Sequence, residues 1–148
     1  MTEYTPQRYL VVGPSWVGDM VMAQSLFAHL APKADRHIDV LAPDWSRPLL
    51  ARMPEVDNAL SLPFGHGALQ FAERRRLGRE LAGRYDQAIV LPNSLKSALI
   101  PFWAGIPRRT GWRGEWRYGL LNDVRVLDQT HHPLMVQRFV ALARPASA

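Results

Sequence analysis

The feature that most constrains this chain is a recurring alternation. Short apolar runs are cut off by proline or glycine, and stretches with helical spacing lie between them. Tyr9-Leu10-Val11-Val12 ends at Gly13-Pro14, residues 38–42 end at Pro43, and residues 88–91 end at Pro92-Asn93-Ser94. Apolar runs this short, bounded by turn formers, read as strands buried on both faces. Residues 20–30 space Met22, Leu26 and Leu30 as a helix does before Pro32 stops it. Residues 48–53 suit a short helix ended by Pro54, and 68–81 a long amphipathic one with Gly83 near its end. Ser94 can cap a further helix over 94–103, ahead of Gly105 and Pro107. A weak strand is expected at 59–62, a fifth at 109–112, and a last helix over 133–143 with Pro133 as its first residue. The sum is an α/β fold, a parallel sheet with helices on both faces.

Length and composition bound the rest. The 148 residues suit one domain, expected over 1–144, with Pro145-Ala146-Ser147-Ala148 as tail or linker. At 47% hydrophobic residues a packed core is within reach. With no cysteine, a disulfide framework, a thiolate metal site and a cysteine nucleophile are all excluded. No apolar run is long enough to cross a bilayer, and residues 1–8 lack the regions of a signal peptide, so a soluble intracellular protein is expected. The net charge is +5, and the only lysines are Lys33 and Lys96. Arginine grips carboxylates and phosphates through a planar fork, so an anionic partner fits, although arginine excess equally reflects base composition of a genome.

In such sheets chemistry collects beyond the carboxyl ends of the strands. Three loops qualify, at 13–19, 63–67 and 92–96. The first, Gly13-Pro14-Ser15-Trp16-Val17-Gly18-Asp19, carries two glycines that can let backbone amides approach an anion. It has neither the G-x-G-x-x-G dinucleotide pattern nor the G-K-[ST] ending of a P-loop. Asp19 reads as an N-cap or as a general base, and a helix N-terminus favours its negative charge in either role. Arg74, Arg75, Arg76 and Arg79 read as a solvated helix face, with Arg75 and Arg79 on one side and an Arg76–Glu80 pair, or as a clamp for anions. Lys96 is a cation in the first turn of a helix, where the dipole disfavours it unless an anion binds there. The segment Gly111-Trp112-Arg113-Gly114-Glu115-Trp116-Arg117-Tyr118-Gly119 interleaves arginine with tryptophan. It suits sugar faces with phosphates, single-stranded nucleic acid, or a packed loop. The histidines are scattered without ligand spacing, so no metal site is expected.

Six blocks in order carry a resemblance. They are Gly13-Pro14-Ser15-Trp16-Val17-Gly18-Asp19-Met20; residues 47–56; Pro63-Phe64-Gly65-His66-Gly67-Ala68-Leu69; Glu73-Arg74-Arg75-Arg76-Leu77-Gly78; Leu91-Pro92-Asn93-Ser94-Leu95-Lys96-Ser97-Ala98; and 109–115 running on through 117–123. Together they resemble the heptosyltransferase II group of glycosyltransferase family 9, which moves heptose from ADP-heptose to the lipopolysaccharide inner core. The resemblance implies the Rossmann-like N-terminal half of a GT-B enzyme, which receives the acceptor, with the donor-binding C-terminal half absent. Asp19 then matches the catalytic aspartate, a general base in an inverting transfer. Lys96 and Arg74, Arg75, Arg76 and Arg79 resemble the residues that hold the acceptor's anions, joined by Arg113 and Arg117, with Gly13, Ser15, Trp16 and Gly18 in the family's opening loop. It implies no cofactor or metal beyond ADP-heptose as donor substrate, no nucleic acid, and peripheral work at the cytoplasmic face of the inner membrane. It also implies that the chain is inactive unless a donor half is supplied. A non-catalytic module for anionic glycolipid and a basic nucleic-acid-binding domain are the competing readings.

Overall fold

A computed structural model describes residues 8–14, 17–30, 36–62, 71–92, 95–112, 120–125 and 135–142. In chain order the elements are β1 (Arg8–Val12), α1 (Val17–Leu30), β2 (His37–Pro43), a 3-10 turn (Asp44–Ser46), α2 (Arg47–Leu50), β3 (Asn58–Leu62), α3 (Phe71–Glu80), β4 (Gln87–Val90), α4 (Leu95–Trp103), β5 (Arg108–Trp112), β6 (Asp123–Arg125) and α5 (Met135–Leu142).

The strands form one six-stranded sheet in the order β3-β2-β1-β4-β5-β6, every pairing parallel. Alternation along the strands sorts the core onto two faces. Tyr9, Val11, Ile38, Val40, Ala42 and Ile89 meet Met20, Ala23, Leu26, Phe27 and Leu30 of α1 and Phe139 and Leu142 of α5. Leu10, Leu41 and Ala88 join Leu81, Tyr85, Ile100, Ala104 and Ile106 in the other cluster. Accordingly α1 packs on α5, and α3 on α4.

The α3–α4 contact is close because Gly78 has no side chain. A Cβ there would stand 2.8 Å from Trp103 Cβ and 2.9 Å from the Ile100 carbonyl oxygen. Both helices are followed by a glycine in the left-handed region, Gly83 at φ 78° and Gly105 at φ 64°.

Several expectations are revised. The helix expected from residue 20 begins at Val17, so Asp19 lies inside its first turn. The short helix expected over 48–53 is a 3-10 turn running into a four-residue α2, because Pro48 suits a helix's opening and leaves little after it. A sixth strand, unforeseen, closes the β5 edge. The loop at 63–67, Pro133 and the tail 145–148 lie outside the described residues.

β6 is three residues long and two of them are charged, so side-chain bonds do much of the holding. Asp123 accepts two bonds from Arg125 (2.9 and 2.7 Å), one from Thr110 (2.8 Å) and one from Arg108 (3.3 Å). Gln87 donates to Thr110 at 2.8 Å, carrying the chain of bonds to β4. Arg125 also reaches the Ala141 carbonyl at 3.3 Å, tying β6 to the end of α5. Burial by itself raises the Asp123 carboxyl. The bonds from Arg125 and Thr110 and the charges of Arg125 and Arg108 outweigh it and hold the group below its ordinary value.

Candidate functional site at the strand-order switch

The strand order reverses between β1 and β4. From β1 the chain moves outward to β2 and β3, and from β4 outward to β5 and β6. Loops that leave the carboxyl ends of two such strands diverge and open a crevice, the usual ligand site of these sheets. Val12 pairs with Val90, so the two loops leave the sheet at one level. Main-chain bonds from Leu91 to Val12 (3.1 Å) and from Gly13 to Leu41 (2.9 Å) fix where they start. One loop leads to α1 with Asp19, the other to α4 with Lys96 as its second residue. Two of the loops singled out in the sequence therefore leave the sheet from neighbouring strands.

Asp19 is half-buried, and among the described residues no group engages its carboxylate. Asp19 is not the N-cap residue, since α1 begins at Val17 and holds it inside the first turn. Another carboxylate near the carboxyl end of the sheet, Asp44, is already committed. It accepts from Ser61 at 3.0 Å and pairs with Arg47 at 3.9 Å. Among the described residues Asp19 is thus the carboxylate at this end of the sheet without such a commitment.

Of the loop glycines, Gly13 is packed. A Cβ there would lie 2.9 Å from Met20 Cε and 3.2 Å from Val40 Cγ1. Gly18 faces open space: a methyl added there would have nothing within 4 Å, so the fold itself does not require a glycine. Ser15 and Trp16 lie outside the described residues.

The arginines of α3 divide. Arg74 shares the inward stripe of Gly78 and Leu81 and is 4% exposed, and burial pulls its guanidinium below its ordinary value. Arg76 pairs with Glu73, not with Glu80 as the spacing suggested. Arg75 and Arg79 are exposed on one face, and among the described residues neither has a partner. They are the two cations of this helix available to an incoming anion. Trp112 corrects the stacking idea: it is 7% exposed and belongs to the α1 side of the core. Arg113 and Arg117 lie outside the described residues. Among the described residues no group of histidines and carboxylates can hold a metal ion.

Sequence reading singled out no role for Arg109, yet its guanidinium bonds two main-chain carbonyls. Its guanidinium donates to the carbonyls of Leu120 (2.6 Å) and Ile106 (2.8 Å). Nothing in the composition of β5 marks this. The Leu120 carbonyl comes within reach only when the chain folds back at 120–122.

Residues 74–147 match glycosyltransferase family 9 (heptosyltransferase). The chain belongs to glycosyltransferase family 9. Over 138 residues, 92% of this chain, it is 64% identical to lipopolysaccharide heptosyltransferase 2 of Escherichia coli K12, and it covers 40% of that protein. It is 57% identical over 141 residues to lipooligosaccharide heptosyltransferase 2 of Haemophilus ducreyi, covering 95% of this chain and 40% of the relative. The solved structure of the E. coli ADP-heptose lipopolysaccharide heptosyltransferase II superposes with a TM-score of 0.85 at 60% identity, over 93% of this chain and 40% of that one. This family-9 chain therefore spans about 40% of the length of the relatives it matches. Its six-stranded α/β sheet matches the GT-B heptosyltransferase architecture.

Proposed function

We propose that this chain is the acceptor-binding part of an inverting heptosyltransferase that moves L-glycero-D-manno-heptose from ADP-heptose to the inner-core heptose of lipopolysaccharide. The observation that carries the reading is the position of Asp19. Among the described residues it is an uncommitted carboxylate, at the strand-order switch of a chain 57–65% identical to lipopolysaccharide and lipooligosaccharide heptosyltransferases.

Asp19 takes the proton of the acceptor heptose hydroxyl as that oxygen attacks the anomeric carbon of the donor. The bond to ADP breaks on the opposite side, so the configuration inverts and ADP leaves. A base so placed contributes a factor of about 10² to 10⁴. Arg75 and Arg79, with Lys96, Arg113 and Arg117, hold the phosphates and carboxylates of the acceptor, while Arg74 and Arg76 support the helix that presents them. Because the acceptor is a membrane lipid, the work is peripheral, at the cytoplasmic face of the inner membrane. Each well-placed cation there adds about 1 kcal/mol. No helix among the described residues is long and apolar enough to cross the membrane.

The chain by itself is expected to bind acceptor without transferring, since the donor is held by the remainder of the longer relatives. Heptose transfer from ADP-heptose to heptosyl-Kdo-lipid A, measured with the chain alone and with that remainder supplied, tests the reading. Transfer only in the supplemented reaction supports it. Acceptor binding without transfer in either reaction would favour a glycolipid-binding module instead. Absence of both would refute the proposal.

A further inference from the structure

Arg109 closes the turn after α4 onto the chain that enters β6. Besides its bonds to Leu120 and Ile106, its guanidinium lies 5.5 Å from the centroid of the Phe102 ring. Asn122 completes the closure. Its Oδ1 accepts from the Arg109 amide at 2.7 Å, its Nδ2 donates to the Pro107 carbonyl at 2.6 Å, and its own amide donates to the Arg109 carbonyl at 3.1 Å. Between these two clamped residues Leu121 is 2% exposed and belongs to a small cluster with Val12, Val90 and Ala98. Val12 and Val90 are the last residues of β1 and β4, and Ala98 lies in the opening turns of α4. The clamp therefore holds the side chain that fills the space behind the strand-order switch.

We propose that Arg109 is a positioning residue for that site: through Leu121 it sets the first turn of α4 and hence the place of Lys96. The inference rests on the acceptor-binding reading above. Arginine is required because one planar fork reaches two carbonyls while its face lies against an aromatic ring. A lysine ammonium is a point charge that cannot do both.

The test uses the full chain and two readouts, hydrogen exchange of the α4 amides and binding to neutral phospholipid vesicles carrying heptosyl-Kdo-lipid A. In Arg109→Lys, exchange at residues 97–99 is expected to rise, and glycolipid affinity to fall, each by about tenfold, the factor carried by one lost bond to a charged group. Asn122→Ala cuts the clamp from its other side and is expected to give the same pair of changes, with the double variant no worse than either. Should Arg109→Lys fail to fold, Asn122→Ala carries the test. Unchanged α4 exchange overturns the proposal, and so does faster exchange at unchanged affinity. Failure of the unsubstituted chain to bind refutes the acceptor reading instead, and the exchange result then decides the positioning by itself.

Discussion

Tyr85 donates a 2.6 Å hydrogen bond to Asp39, inside the protein and toward the amino ends of the strands, away from Asp19. Burial, then the bond to Asp39 and its charge, push the phenol well above its ordinary value against a smaller opposing effect of Arg84. In the unfolded chain a tyrosine ionises near pH 10, roughly. The stabilisation is therefore complete below that pH and is lost as pH rises through the folded value. In an absorbance titration one of the four tyrosines is expected to lag until the protein unfolds. Tyr85→Phe is expected to abolish the lag and to lower stability by about 1–3 kcal/mol, because Asp39 loses a buried donor.

Asp123 has the opposite sign. Its carboxyl is held below the ordinary range, so its contribution is present above about pH 4 and is lost as pH falls through the folded value. Asp123→Asn is expected to cost about 2–3 kcal/mol at neutral pH, somewhat less than for a fully buried pair. The gap between the two melting temperatures should close in acid. A gap that does not narrow as pH falls from neutral toward acid unfolding would place the effect in packing instead.

Two glycines separate space from function. Gly78→Ala would drive a methyl against the α4 backbone, and the expected loss is about 1–3 kcal/mol, read as a lower denaturant midpoint. Gly18→Ala meets nothing and relieves a helix of a glycine, so thermal stability is expected to hold or rise. If the acceptor approaches the backbone there, transfer in the supplemented reaction falls in the same variant.

Asp19→Asn preserves shape and removes the base. Transfer in the supplemented reaction is expected to fall by about 10² to 10⁴, with acceptor affinity nearly unchanged. Loss of a negative charge from the first helical turn costs stability only about 0.3–1 kcal/mol. Loss of affinity equal to the loss of rate would make Asp19 a binding residue.

The central strands were legible because burial on both faces leaves an apolar run, as in β1 and β4, and in β2 with Asp39 as its one interruption between Ile38 and Ala42. β6 was not, since Asp123 and Arg125 are held by each other and by α5, and no apolar pattern records that. Asp19 and Lys96 could be placed at loop ends from spacing. That both follow neighbouring strands depends on β4 lying beside β1, which spacing does not specify. Arg74 and Arg75 are alike in sequence, and only the Gly78 stripe against α4 decides which of them is buried. For Trp112 the packed alternative holds, since it joins the core cluster on the α1 side, which an aromatic beside glycine and arginine does not announce.

The placing of β1 between β2 and β4 bears on how the chain folds. The first-made strand gains one neighbour early, but its other edge stays open until β4 exists. Both of its pairings span long stretches of sequence, so the ordering cost of closing those loops precedes the gain. Until then the apolar edge of β1 is open to pairing with another copy, the usual route to aggregation of slow parallel sheets. Refolding yield should therefore fall with protein concentration well before native stability does.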